Sequence, residues 1–195
     1  MQTSNLNKVK KEDCAVIVID MQNDFVSEGA PIECAGAREI IPTISNFLDF
    51  IRSQKVPIIY TQETHREQKV DFGIELERSP QHCIKGSMGY EIVKELTPQK
   101  ADFIIRKPRF SSFYATDLDI LLKGLDKKIL LITGVATNVC VYATAMDAMQ
   151  RDYRVVVVSD CVAGSELALH NAFLKNIQYI LGDVVKSKDI IETFS

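Results

Sequence analysis

The stretch Cys14-Ala15-Val16-Ile17-Val18-Ile19-Asp20 decides the fold. Six apolar residues follow one another without alternation, and a carboxylate closes the run. A strand buried on both faces reads this way, and such strands belong to parallel sheets covered by helices on both sides. Working outward, residues 56–60, 102–105, 128–133, 154–159 and 177–181 repeat the pattern and are predicted as further strands. Segments of helical period lie between them. Ile40, Ile44, Phe47, Leu48 and Ile51 recur at three and four, as do Leu118, Leu121, Leu122 and Leu125 after Thr116, a predicted N-cap. Val139, Ala143, Met146 and Met149 follow Asn138, and Leu167, Ala168, Asn171, Ala172 and Leu174 follow Ser165, two further predicted N-caps. Strand and helix in alternation imply right-handed crossovers. The expected fold is α/β, three-layer and doubly wound, with a mostly parallel, Rossmann-like six-stranded sheet and helices on both faces.

A chain of 195 residues suits one domain, 1–195, preceded by a polar tail over about residues 1–12. Hydrophobic residues make up 46%, enough to bury a core, so a disordered chain is excluded. Lysine and arginine total 23 against 26 acids, a net charge of −3. Nucleic acid and anionic membrane both need a dense basic surface, and neither is expected as a partner. No apolar run approaches the roughly 20 residues of a bilayer span. The first residues carry no apolar signal segment, so the expected location is cytoplasmic. The five cysteines, Cys14, Cys34, Cys83, Cys140 and Cys161, are odd in number and lack C-x-x-C spacing, which argues against a disulfide framework or a zinc knuckle.

In doubly wound sheets, ligands bind at the carboxyl ends of the strands. That rule selects Asp20, then Gln62, Glu63 and His65, then Arg106 and Lys107, then residues 134–140, then Asp160 and Cys161. Residues 63–89 break the strand–helix rhythm. They are polar and about 25 long, which suits a functional excursion better than a connector. Cys140 falls two residues after the predicted N-cap Asn138, where free amides and a partial positive charge favour a thiolate. A buried structural thiol is the alternative there, a turn residue the alternative at Asp20, and a solvated side chain the alternative at Lys107. If the three converge, an acid, an ammonium and a thiol share one crevice.

The sequence resembles the isochorismatase-like cysteine hydrolases. The resemblance rests on Val16-Ile-Val-Ile-Asp-Met-Gln-Asn-Asp-Phe25, Arg106-Lys-Pro-Arg-Phe-Ser-Ser-Phe113 and Thr133-Gly-Val-Ala-Thr-Asn-Val-Cys-Val141, and runs from about residue 15 to 182. It implies an Asp–Lys–Cys triad on Asp20, Lys107 and Cys140. It also implies a cis peptide at Val135–Ala136, an oxyanion hole from the amides of Ala136 and Cys140, and a homo-oligomer, dimer or tetramer. Vinyl-ether-cleaving members lack the cysteine, so a chain with Cys140 resembles the amidases, which cleave C–N bonds through a thioester. The 33-residue separation of Lys107 and Cys140 is similar to that of carbamoyl- and ureido-cleaving members.

Two subgroups divide the remaining motifs. Thr61-Gln-Glu-Thr-His65 and Ser79-Pro-Gln-His-Cys83 resemble nicotinamidases, whose metal ligands would fall on Glu63, His65 and His82, a set suited to zinc. That subgroup has Asp at the position of Glu63 and a ring-stacking tryptophan at that of Ser79, and this chain has no tryptophan. Thr64-His-Arg66, Asp71-Phe-Gly73 and Glu75-Leu-Glu77 resemble the metal-independent amidohydrolases. The expectation is therefore a small amide, ureido or carbamoyl substrate and no required cofactor, with a divalent metal as the alternative. Arg66 and Arg109 are candidates to pair with a substrate carboxylate. Phe25, Phe72, Phe113 and Tyr114 are candidates to wall the pocket. A non-catalytic binding protein of the same fold is the alternative function. A dinucleotide-binding domain is excluded, because no G-x-G-x-x-G follows the first strand.

Overall fold

The structure, a computed structural model, describes residues 6–195. The first part of the predicted tail, residues 1–5, lies outside the described residues. The remainder forms two single 3₁₀ turns, Leu6–Lys8 and Lys11–Asp13, with Val9 buried between them.

Six strands, β1 (Cys14–Ile19), β2 (Ile58–Glu63), β3 (Phe103–Lys107), β4 (Ile129–Val135), β5 (Arg154–Ala163) and β6 (Gly182–Val185), make one sheet in the order β3-β2-β1-β4-β5-β6. Every neighbouring pair is parallel. The helices are α1 (Asn23–Val26), α2 (Ile41–Ser53), α3 (Leu118–Gly124), α4 (Tyr142–Met149), α5 (Leu167–Asn176) and α6 (Ser187–Phe194). The continuous apolar run of β1 is explained by its central place. Cys14, Val16 and Val18 enter the core beneath α2 and α6, with Ile44, Phe47, Leu48, Ile190 and Phe194. Ala15, Ile17 and Ile19 enter the opposite core with Leu118, Leu122, Ala145 and Ala148 of α3 and α4. Strand order reverses between β1 and β4, and the crevice of a doubly wound sheet opens at that point.

One predicted strand is corrected. Residues 177–181 form a π-helical turn, Ile177–Leu181, that continues α5. Ile177 and Leu181, four apart, are buried, whereas Tyr179 and Ile180 are exposed, which is a helical pattern. The strand is β6, which begins at the very next residue, and its Gly182-Asp183 start hides it from propensity.

Two predicted caps are also corrected. Asn138 lies inside a π-helical turn, Thr137–Val141, that leads into α4 and has Ala136 as its N-cap. Ser165 precedes Glu166, the N-cap of α5. Asn138 and Ser165 bond each other instead: Asn138 Nδ2 donates to Ser165 Oγ, and the Ser165 amide donates to Asn138 Oδ1. Thr116 is one residue before the N-cap Asp117 but does accept the Leu118 amide on its hydroxyl.

The pairing Ile19–Gly134 holds the ends of β1 and β4 together. Gly134 has φ +98°, and a Cβ there would overlap the Ile19 backbone. Gly134→Ala is therefore expected to lower stability by about 3 kcal/mol or more, from backbone strain and overpacking combined. Urea unfolding measures it, and a loss under about 1 kcal/mol would show that the strand ends separate easily.

Candidate active site

Four strand ends meet at the crevice. Asp20 follows β1 directly in a left-handed conformation, φ +48°. Thr61 of β2 donates its hydroxyl to Asp20 Oδ1 at 2.6 Å and accepts the Asp20 amide at 3.2 Å, which fixes the carboxylate. Glu63 ends β2, Lys107 ends β3, and the two are register partners. Lys107 Nζ lies 2.7 Å from Asp20 Oδ2 and 2.9 Å from Glu63 Oε2. It also donates to the Arg109 carbonyl at 3.0 Å and to Cys140 Sγ at 3.6 Å. The Cys140 thiol, carried by the turn after β4, donates to Glu63 Oε2 at 3.7 Å. All four side chains are buried. The structure thus brings together Asp20, Lys107 and Cys140, and adds Glu63 in a place sequence reasoning assigned only to a metal.

One ammonium here faces two carboxylates, and that sets every proton affinity. Burial would lower Lys107, but Asp20, Cys140 and Glu63 hold it well above the ordinary lysine value. Burial raises Asp20, only partly offset by Lys107. Burial would also raise Glu63, yet Lys107 and the two neighbouring imidazoles, His65 and His82, hold it well below the usual carboxylate range. Burial pushes the Cys140 thiol well up, against the pull of Lys107. The expected helix-start thiolate is therefore corrected. Lys107 is already matched by two carboxylates, and burial with those same acids favours the thiol over the thiolate.

Cys140 opens onto a cavity of about 300 Å³. Phe25 lines it as expected, beside Ala136, whose peptide bond with Val135 is cis. Two predicted substrate residues do not line this cavity. Arg66 is at the surface in an ion pair with Asp71, held there by the turn that closes over residues 66–71. Phe113 is buried in the core under α3 and α4, stacked on Tyr153 with Arg151 above. Arg109 donates to the carbonyls of Asp71 and Pro108 and does not line the cavity. Phe72 stacks on His65, and Tyr114 is exposed. Sequence reasoning missed Phe110 and Glu75 as cavity walls. Both lie outside the strand ends, where no periodicity marks a lining residue.

The excursion after β2 carries His65, Glu75, Ser79 and His82 to this region. Glu63 Oε1 lies 3.3 Å from His65 Nε2 and 3.0 Å from His82 Nε2. His82 Nδ1 donates to the Pro80 carbonyl at 2.8 Å, so its Nε2 is the nitrogen aimed at Glu63. These three donor atoms converge within 4.8 Å of one another and are buried. A carboxylate and two imidazoles so placed fit a divalent ion, with the Pro80 bond as the usual outer support of a ligating histidine.

The match to the Isochorismatase domain family covers residues 14–189, and the chain belongs to that family of hydrolases. An isochorismatase-like hydrolase from Alkaliphilus metalliredigens is 35% identical, over 94% of this chain and 100% of that one, with a TM-score of 0.88. A nicotinamidase/pyrazinamidase from Bacillus subtilis is 27% identical, over 89% and 100%, with a TM-score of 0.84. An N-carbamoylsarcosine amidase from Thermoplasma acidophilum is 25% identical, over 90% and 96%, with a TM-score of 0.79.

A resting thiol makes alkylation pH-dependent in a definite sense. Iodoacetamide modification of Cys140 is expected to be slow at neutral pH and to climb through pH 9 without a plateau, since the raised thiol ionises only above its ordinary range. Mass spectrometry of the labelled peptide reads this. A plateau below pH 8 would mean a resting thiolate.

Proposed function

We propose that the chain is a cysteine amidohydrolase that cleaves the C–N bond of a small amide, ureido or carbamoyl compound through a thioester. The observation that carries this reading is the buried chain of contacts Asp20–Lys107–Cys140 at 2.7 and 3.6 Å, opening onto a cavity of substrate size.

The chemistry follows from the proton affinities. As Cys140 Sγ attacks the carbonyl carbon, the C–S bond forms and the thiol proton passes to Asp20, whose affinity burial has raised. The carbonyl π pair moves to oxygen, where the amides of Ala136 and Cys140 receive the oxyanion. Lys107 remains an ammonium and balances the charge that leaves sulfur. Collapse breaks the C–N bond, and Asp20 returns its proton to the departing nitrogen, which leaves as ammonia or an amine. Water then enters and gives a proton to Asp20. It attacks the thioester carbonyl, the C–S bond breaks, and Asp20 hands that proton to the departing sulfur, which regenerates the thiol and releases the acid.

The convergence of Glu63, His65 and His82 favours a second reading, a metal-dependent nicotinamidase. An ion there would supply a Lewis acid beside the cavity that anchors a ligand lone pair. In the primary reading Glu63 serves Lys107 and Cys140 through Oε2 and the two imidazoles through Oε1, as it stands without an ion. The primary reading routes no step through a metal.

Cys140→Ala is expected to lose ammonia release from amide substrates by on the order of 10⁴-fold or more while keeping the wild-type circular dichroism spectrum. Asp20→Asn should lose acylation in a single-turnover assay. Near wild-type turnover in either variant would refute the proposed roles. Activity is expected to survive exhaustive chelation. Stoichiometric zinc in the purified protein, with activity lost on its removal and restored on its return, would replace the primary reading with the second.

A further inference from the structure

Residues 106–113 carry Lys107 and then Ser111-Ser112-Phe113, and of that stretch the proposed reaction uses Lys107 alone. The two serines are bound to α4. The Ser112 amide donates to Thr144 Oγ1 at 3.0 Å, and the Ser112 and Thr144 hydroxyls bond each other at 2.9 Å. The Ser112 carbonyl accepts the Thr116 hydroxyl. Ser111 Oγ donates to Asp147 Oδ2, one turn further along α4. Ser112 and Thr144 are fully buried, and their chain neighbours Phe113 and Ala145 belong to the core under α3 and α4. Buried hydroxyls cost desolvation and their bonds return little net stability, but such bonds fix distance and angle, which apolar contact does not.

What the pair fixes follows from the topology. Lys107 ends β3 and Cys140 follows β4, and β2 and β1 lie between those strands, so no backbone ladder joins the two segments directly. Thr144 lies one helical turn after Cys140, in the helix that continues from the Thr137–Val141 turn. Lys107 Nζ donates to the Arg109 carbonyl at 3.0 Å, so the loop that Ser112 pins to α4 also holds the ammonium. The contacts close a short circuit: Lys107 to Arg109, along the chain to Ser112, across to Thr144, back one turn to Cys140, and across 3.6 Å to Lys107. Neither Ser112 nor Thr144 lines the cavity, so both act through the two ends of that circuit.

We propose that Ser112 and Thr144 are positioning residues whose bonds set the separation between the Lys107 ammonium and the Cys140 sulfur. The hydroxyl of Thr144 is the acceptor on which both bonds from Ser112 converge. Without it the loop after β3 keeps only apolar packing and the peripheral Ser111–Asp147 bond against α4, and the two halves of the site slide apart. The effect on turnover rests on the amidohydrolase reading, but the spacing is a property of the folded chain and is measured apart from it.

The test is Thr144→Val, which keeps the shape of the side chain and removes the acceptor of both bonds. With nicotinamide, biuret and N-carbamoylglycine as the amides tried, kcat for ammonia release is expected to fall by about 10- to 100-fold while KM stays within about threefold, the scale of misplacing a reacting group by up to about 1 Å. Thr144→Ser restores the hydroxyl and should recover kcat to within about threefold of wild type. Ile44→Val removes a methyl group from the opposite core beneath α2 and should leave kcat unchanged. Crystal structures read the spacing itself: Lys107 Nζ to Cys140 Sγ is expected to lengthen by about 0.5 Å or more in Thr144→Val and to hold in Thr144→Ser. Ser112→Ala leaves the amide bond to Thr144, should show a smaller loss in the same direction, and stands in if the valine variant fails to fold. A kcat for Thr144→Val near that of the wild type, a Thr144→Ser protein as slow as Thr144→Val, or a spacing unmoved by the loss of the hydroxyl each overturn the proposal. A spacing that lengthens in a protein releasing no ammonia from any of the three amides would keep the positioning role and discard the reaction. Ammonia release with both kcat and spacing unmoved in Thr144→Val would do the reverse.

Discussion

The ammonium of Lys107, buried between Asp20 and Glu63, is the interaction on which the rest of the structure depends. A fully buried charge is tolerated only with close partners, and here two carboxylates lie within 2.9 Å of one nitrogen. Those three residues end three adjacent strands, β1, β2 and β3, so the sheet must hold its register for the charges to meet. Parallel pairing supplies this, because it places all the carboxyl ends on one side. The connection from β3 through α3 then crosses to β4, on the other side of β1, and brings Cys140 to the same point from the other half of the sheet.

The segment after Asp20 holds the excursion over the site. Gln22 is buried where β1 would otherwise continue. Its Nε2 donates to the carbonyls of Glu63 and Tyr90, and its Oε1 accepts the Glu63 amide, so it sets the position of Glu63 from a neighbouring strand end. Asn23 Nδ2 donates to the Met88 carbonyl, and Asp24 accepts the Cys83 amide. Gly89 leaves room for Asp24, whose carboxylate a Cβ there would overlap. The residues Gln22-Asn23-Asp24, which stand beside a reactive carboxylate in the sequence, therefore act on the loop and not on a substrate. They hold Glu63 and residues 83–90, and Cys83 in turn accepts the His65 amide and adjoins His82.

The legibility of the sequence divides along the same line. Unbroken apolar runs announced β1, β4 and β5, because burial on both faces leaves no alternative pattern, and the strand-end rule drew Asp20, Lys107 and residues 134–140 onto one short list. That Asp20, Lys107 and Cys140 form one group rested on resemblance, since no spacing along a chain fixes which strands are neighbours. Glu63 was visible as a strand-end acid. Its bond to Lys107 was not, because it depends on the β2–β3 register. Phe113 and Arg66 look like site residues in sequence and do not line the cavity at Cys140, one drawn into the core and the other tied to Asp71. Glu75 figured only in a resemblance to the metal-independent amidohydrolases, and its place at the cavity wall was not legible, because the path of a long loop is set by side-chain bonds from elsewhere in the chain.

Two carboxylates on one lysine are not interchangeable, and the difference lies in what else each one touches. Asp20 has Thr61 and Lys107 for partners, too little to offset its burial, so it remains the readier to take a proton. Glu63 shares the same ammonium and adds two imidazoles, so it remains an anion. Paired acids whose surroundings push their proton affinities apart take different roles. In the proposed reaction Glu63 is the fixed charge that keeps Lys107 an ammonium, and Asp20 is the carrier. The thiol proton then moves only from sulfur to an oxygen on the same lysine. The proton transfer by itself leaves the net charge of the buried cluster unchanged, and as the C–S bond forms one negative charge passes from the cluster to the substrate oxygen, where the amides of Ala136 and Cys140 receive it.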